Sequence, residues 1–223
     1  MLMKLNFEFI AEYLPLYTEA AVLTFRIALF GIIFSLIVGA ICAAVKYYRV
    51  PVLHRVISAY IEVSRNTPLL VQLFFLYFGL PKIGVVLSAE ACAVIGLTFL
   101  GGSYMAESMR SGLESVEKTQ LESAYSLGMS KTLTMREVIF PQALAVSVPG
   151  ISANVIFLIK ETSVVSGIAL ADLMYVTKDL IGLYYETDEA LIMLVIFYLI
   201  ILLPISVAAS LLERRLRYAG FGN

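Results

Sequence analysis

The chain has 223 residues, 60% of them hydrophobic and 15% charged, with a formal charge of −1 and a mean hydropathy of +0.89. Soluble domains run about 45–50% apolar and about 25% charged, so this much apolar surface cannot be hidden in one water-soluble core. Two cysteines, one histidine and a near-zero charge exclude a disulfide scaffold, a metal centre built from them and a basic nucleic-acid binder. What remains is an all-α polytopic protein of the lipid bilayer, with about five to seven crossings at roughly 20 residues each.

Met1 to Glu12 interleaves apolar residues with Asn6, Glu8 and Glu12 and has no continuous apolar core of a signal peptide. Residues 1–17 are therefore expected to be an external segment, and the first true span to direct insertion. That span is Val22 to Val45, interrupted only by Arg26, which is expected to snorkel or to pair with Glu19. Gly31, Ser35, Gly39 and Ala43 recur every fourth position and give this helix one face of small side chains, suited to close packing. Cys42 and Cys92 read as buried small hydrophobes.

A basic loop, Lys46 to Arg55, comes next with Arg49, Pro51 and His54 inside it. Ile57 to Leu80 is the second span, with Pro68 expected to kink it. Glu62 and Arg65, three residues apart, are expected to neutralise each other. The cluster Phe74, Phe75, Tyr77, Phe78 reads as lipid-facing or packing surface. Val85 to Ala106 is the third span, and Glu107 with Arg110 repeats the ion-pair spacing at its end.

Glu107 to Glu137 is the only long charged stretch. Thr119 and Glu122 have the spacing of a capping box, Gly128 is expected to stop that helix, and a second short helix, Lys131 to Phe140, to stop at Pro141. Ala143 to Ile159 is the fourth span. Lys160-Glu-Thr-Ser163 interrupts the apolar pattern before Val164 to Leu173, read as a half-helix or outer-face segment. Ala190 to Leu212 is the fifth span, and residues 214–223 form a basic tail.

With five spans, one side holds Lys46, Arg49, Arg55, Arg110, Lys118, Lys131, Arg136, Arg214, Arg215 and Arg217, and the other only Lys4, Lys82, Lys160 and Lys178. Ten against four puts the first group in the cytoplasm, the N-terminus outside and the C-terminus inside. A sixth crossing at Val164–Leu173 would export the terminal arginines.

Gly128-Met-Ser-Lys131-Thr132 resembles the end of a P-loop, but its first glycine and a preceding strand are missing. Neither a nucleophile elbow nor a zincin helix is present. The charged loop is more informative. Glu122-Ser-Ala124, then Gly128, then Val138-Ile-Phe140-Pro141 reproduces the spacing of the EAA loop of ABC importer permeases. Ser64-Arg-Asn-Thr-Pro-Leu-Leu-Val-Gln-Leu73, Tyr104-Met-Ala-Glu-Ser-Met-Arg110 and Lys160-Glu-Thr-Ser163 resemble the polar amino-acid (histidine/glutamine-type) subfamily. Ser123 stands for the usual second alanine and Phe140 for the usual leucine, each keeping its size class.

The resemblance covers residues 18–213 and implies the type I importer fold, with a coupling loop at about 111–141. It implies that Leu121, Glu122, Ala124, Tyr125, Gly128 and Pro141 seat in a groove of a separate ATPase, which binds ATP and Mg²⁺ while this chain holds no cofactor. Two such ATPases, a second permease copy (identical or related) and an external amino-acid-binding protein would complete the assembly. An amino acid brings an ammonium and a carboxylate. Glu161 would accept from the ammonium, and Asn154, Thr162 or backbone N–H groups would meet the carboxylate. Gln72 and Ser163 complete the candidate path. Pro149-Gly150 and Lys160–Ser163 are the points where the helix could break to expose such groups. A polar cluster that satisfies itself is the competing reading of these side chains. A self-sufficient ion-coupled transporter and a conduit-free scaffold are the competing functional classes; the first calls for an inverted repeat, and none is evident.

Overall fold

The longest element, α1 (Phe7–Tyr47), starts well before the first apolar run, and every regular element among the described residues is helical. The computed structural model describes residues 5–221, so Lys4 of the charge count lies outside the described residues, as does the end of the tail. After α1 come α2 (Leu53–Arg65), α3 (Leu69–Phe74, continued by a π-turn to Gly79 and a 3₁₀ turn to Ile83) and α4 (Ala89–Glu114). Beyond them lie α5 (Lys118–Ser126), α6 (Lys131–Thr134), α7 (Phe140–Glu161), a 3₁₀ segment Thr162–Ile168, α8 (Leu173–Tyr184) and α9 (Thr187–Phe221).

Among the described residues, four stretches are long and apolar enough to cross a membrane: Phe7–Tyr47, Ala89–Glu114, Lys131–Ile168 and Thr187–Leu216. The expected second span is not one kinked helix. α2 ends at Arg65 and Pro68 caps the separate α3, because proline forces Thr67 out of the helical region and lacks an N–H of its own. Phe30, Ile33, Phe34 and Ile37 of α1 stay exposed, as do Ile196, Ile200 and Leu203 of α9, the surface a bilayer covers.

Two compact units emerge, each assembled from portions of the same long helices. The first comprises residues up to 32 with 67–97 and 157–205; the second comprises 33–66, 98–156 and the residues from 206 onward. In the first, Phe9, Tyr17, Leu173, Val176, Leu180 and Met193 form the core. The Tyr17 hydroxyl donates to the Ala190 carbonyl at 2.8 Å and lies 3.0 Å from Thr177 Oγ1, so the buried phenol is satisfied. In the second, Cys42, Ile61 and Ala106 are packed by Val38, Ile57 and Tyr60. Both cysteines are buried and unbonded, as small hydrophobes.

The small-residue face of α1 is buried as its spacing predicts, with Ser35 at 0% and Ala43 at 1% exposure. A Cβ on Gly39 would sit 2.5 Å from Met105 Cβ, so glycine there is a condition of contact. Overpacking of a close-packed site costs about 1–3 kcal/mol. Gly39→Val is therefore expected to lower the temperature at which the detergent-solubilised protein leaves its monodisperse peak. Gly182→Ala, with nothing within 4 Å of the added carbon, should leave that temperature unchanged or raise it.

Candidate functional site

Three groups of polar residues stand out. The first joins α1 to α4: Lys46 Nζ donates to Glu107 Oε1 at 3.2 Å, and Arg110 grips the same carboxylate through Nε (3.3 Å) and Nη2 (2.8 Å). Arg110 also pairs with Glu114. The expected Glu107–Arg110 pair is thus present, inside a four-residue network. Two other expected pairs are not. Arg26 reaches Glu90 on α4 (2.7 Å) rather than Glu19, because the neighbouring helix offers a carboxylate nearer than one two turns back. Glu62 accepts from Asn66 Nδ2 (3.3 Å), and Arg65 lies over the Tyr104 ring at 5.1 Å, a cation–π contact.

The second group is the α5–α6 hairpin. Thr119 does not cap α5: Glu117 occupies the N-cap and Thr119 Oγ1 donates to Glu117 Oε2 (3.1 Å), so the expected capping box is absent. The helix stops where expected. Met129 N–H donates to Ala124 O (3.1 Å) and Gly128 N–H to Tyr125 O (2.9 Å), the paired bonds of a Schellman turn. Gly128 has φ +79°, which only glycine adopts without strain. Ala124 is buried beneath the turn, while Tyr125 (45%) and Leu127 (82%) are exposed, with Glu122 exposed beside them. Leu121 is half-buried. Ser130 caps α6, its hydroxyl accepting from Leu133 N–H (3.3 Å).

The expected stop at Pro141 does not occur. The chain passes from α6 through a π-turn, Met135–Ile139, straight into α7 and on past Pro149-Gly150 to Glu161. The break falls at Thr162, where the helix tightens to 3₁₀.

That break carries the third group. Thr162 is buried and its hydroxyl donates to Ile159 O (2.7 Å); Glu161 and Ser163 are half-buried and Lys160 is exposed. Lys160 and Ser163 line a cavity of about 320 Å³ with Met174, Leu194, Tyr198 and Leu202. Asn154 Nδ2 donates to Ser108 Oγ on α4 (2.9 Å), and Gln72 Nε2 to Thr67 O (3.0 Å). Of the expected path, then, only Ser163 lines this cavity, and Glu161 and Thr162 adjoin it in sequence.

Sequence reasoning missed Tyr198 and Asp172. Asp172 signalled itself as an aspartate just before an apolar-periodic run, the mark of an N-cap. Its side chain accepts from Tyr175 N–H (2.9 Å), and α8 begins there in place of the expected half-helix at Val164–Leu173. Its Oδ2 is buried without a hydrogen-bond partner among the described residues. Burial pushes the carboxyl up to about 6, against the opposing bond from Tyr175 and the charge of Lys178. An aspartate in an unfolded chain titrates near 3.9, so the fold holds this proton more tightly and the group's contribution to stability falls as pH rises from about 4 through 6. Asp172→Asn keeps the cap and removes the buried charge. It should raise thermal stability at pH 8 and lose that advantage at pH 4, as followed by size-exclusion chromatography after heating.

Apolar helices long enough to cross a membrane, one of them interrupted by a polar break, with an exposed helical hairpin between two of them, are the form of a transport subunit. Residues 21–218 match the model for the binding-protein-dependent transport system inner membrane component, and the chain belongs to that family, as a multi-pass permease of an ABC importer in the inner membrane. It is similar to the probable amino-acid ABC transporter permease protein PatM of Vibrio harveyi, 40% identical over 175 residues (77% of this chain, 78% of that one). It is similar also to the L-cystine transport system permease protein TcyB of Bacillus subtilis, 34% identical over 92% of this chain and 88% of that one. Among solved structures, the crystal structure of an amino acid ABC transporter with histidines superposes with TM-score 0.87 at 33% identity, over 96% of this chain and 100% of that chain. The inward-facing MetNI methionine ABC transporter, at 18% identity and TM-score 0.74 (92% of this chain, 98% of that chain), shares the fold.

Proposed function

We propose that this chain carries a polar amino acid across the cytoplasmic membrane by alternating access, in five spans with the N-terminus outside and the C-terminus inside. The ten-to-four distribution of positive residues supports that orientation. The second span, additional to the four long apolar stretches, is the discontinuous stretch from α2 through Ile83. Relatives named for amino acids and for L-cystine, and a structural neighbour with histidines, support the substrate class.

The chain is proposed to make or break no covalent bond. A second permease copy faces it, two ATPase subunits hold the ATP and Mg²⁺, and an external binding protein delivers the substrate. The observation that carries this reading is the α5–α6 hairpin: apolar Tyr125 and Leu127 exposed on a Schellman turn, in a loop otherwise rich in charge. Leu121, Glu122, Ala124, Tyr125 and Gly128 are the proposed seat in the ATPase groove, and Pro141 marks where the hairpin runs into α7. Substrate would meet the break at Glu161–Ser163, its ammonium toward Glu161 and its carboxylate toward Thr162 or backbone N–H groups, with Gln72 and Ser163 on the path.

Gly128→Val forces a β-branched residue into the left-handed region. It should abolish ATP-driven uptake in proteoliposomes while membrane insertion persists; ordinary uptake would remove the hairpin from the mechanism. Glu161→Gln should raise the amino-acid concentration that half-stimulates the assembled ATPase by about tenfold, the loss of about 1.4 kcal/mol. Uptake that tracks an ion gradient without any ATPase would point instead to a secondary transporter.

A further inference from the structure

The turn between α1 and α2 is not used by the transport reading, yet its composition is unusual. Tyr48, Val52, Leu53 and Val56 are exposed apolar residues, and Arg49, His54 and Arg55 are interleaved with them. Among the described residues no carboxylate pairs with Arg49, His54 or Arg55, whereas Lys46, one turn earlier, is held by Glu107. The backbone is left-handed at Arg49 (φ +50°) and Val52 (φ +66°), a conformation that strains a β-branched residue, and the Val52 side chain is left 74% exposed. Arg49, Val52, His54 and Arg55 line one open cleft.

Immediately before this cleft, Tyr47 and Tyr48 line a second, apolar one of about 430 Å³. Its walls include Ala43 and Ala44 of α1, Met109 of α4 and Leu144 of α7, and the Ser147 hydroxyl within it is already bonded to the Ala143 carbonyl (2.7 Å). Apart from the tyrosines at its mouth and Ser147, its walls are aliphatic, methionine and phenylalanine side chains. Both clefts belong to the second compact unit, and the chain passes from lining one to lining the other between Tyr48 and Arg49.

We propose that this pair of clefts is a binding site for one anionic phospholipid of the inner leaflet. The phosphodiester lies against Arg49 and Arg55, with His54 beside them, and one acyl chain enters the alanine-walled groove. Unpaired guanidiniums complement a phosphate, and apolar side chains interleaved with basic ones suit the headgroup boundary of a bilayer. A soluble protein partner would account for the charges but not for an apolar groove running up a membrane span. The inner-leaflet assignment rests on the proposed orientation.

The test is native mass spectrometry of the full-length chain purified from membranes and challenged with phosphatidylglycerol or phosphatidylcholine in detergent. The wild type should retain phosphatidylglycerol selectively. Arg49→Gln/Arg55→Gln should retain at least about fivefold less, and Arg49→Lys/Arg55→Lys should recover most of it. Ala44→Phe, which fills the groove with both arginines intact, should also lower retention; each variant is compared only as a monodisperse peak. Equal retention by the glutamine double variant, or retention unaffected by Ala44→Phe, overturns the site. So does a double variant that keeps the lipid but loses a co-purifying ATPase, which would make the surface a subunit contact. Sidedness is read separately, by impermeant maleimide on Leu53→Cys, an exposed position that lines neither cleft, since both native cysteines are buried. Labelling from outside intact cells with lipid selectivity retained overturns the orientation and the inner leaflet, not the lipid contacts.

Discussion

The close contact of α1 with α4 decides which other interactions these helices can make. In hydrocarbon there is no hydrophobic drive between helices, so contact must come from van der Waals fit and hydrogen bonding, and fit improves as backbones come closer. Gly39 brings the two helices so near that even a methyl group would overlap Met105. Ser35 and Ala43, on the same face of α1, are buried as well. With the helices held there, Lys46 at the end of α1 meets Glu107 on α4, and Glu107 orients Arg110. Burying a charge near a membrane span is costly without a partner, and this carboxylate has two. Gly112 of α4 lies similarly close to Ser147 and the Ala143 carbonyl of α7, so α4 packs closely against both α1 and α7.

Features that a single helix determines were legible in the sequence. Every-fourth small residues define a face whatever packs on it, Glu107 and Arg110 are neighbours in any helix, and the Gly128 stop depends only on the last turn of α5. Features that depend on a second helix were not. Arg26 found Glu90 and Arg65 found Tyr104 because an adjacent helix offered a better partner than their own, and no spacing rule encodes that choice. The capping box failed for a smaller reason: helix start is set by where the backbone turns extended, and Glu117 reaches that conformation before Thr119 does. At the candidate site, the polar break at Lys160–Ser163 was visible as a gap in hydropathy. Tyr198 was not, since a lone hydroxyl within an apolar span reads as one more aromatic.

The prolines show most plainly how a local rule yields to its surroundings. Pro68 ends a helix, as a proline with an extended predecessor must, whereas Pro141 lies inside one. Directly before Pro141 the helix widens into a π-turn at Met135–Ile139, and Pro81 comes after another at Phe75–Gly79 at the same distance. A π-turn adds a residue to one turn and shifts the hydrogen-bond register, which relieves the clash between the proline ring and the carbonyl one turn back. The Gln142 side chain then donates to the Val138 carbonyl at 2.9 Å, supplying a donor beside the proline that has none. Helices tolerate proline in membranes on these terms, when nearby groups satisfy the carbonyls it frees.

That accommodation bears on the proposed cycle. A stop at Pro141 would have left a hinge between the hairpin and the fourth span, and hinges dissipate motion. Instead helical backbone continues from Lys131 to Glu161, about 45 Å at 1.5 Å per residue, with its π-turn as the one irregularity before Pro149. Up to Pro149, therefore, the hairpin that would sit on the ATPase runs into α7 through helical backbone alone, with no hinge between them. The π-turn shifts the hydrogen-bond register without ending the helix, so a displacement of the hairpin would reach the first turns of α7 without a relay of side chains.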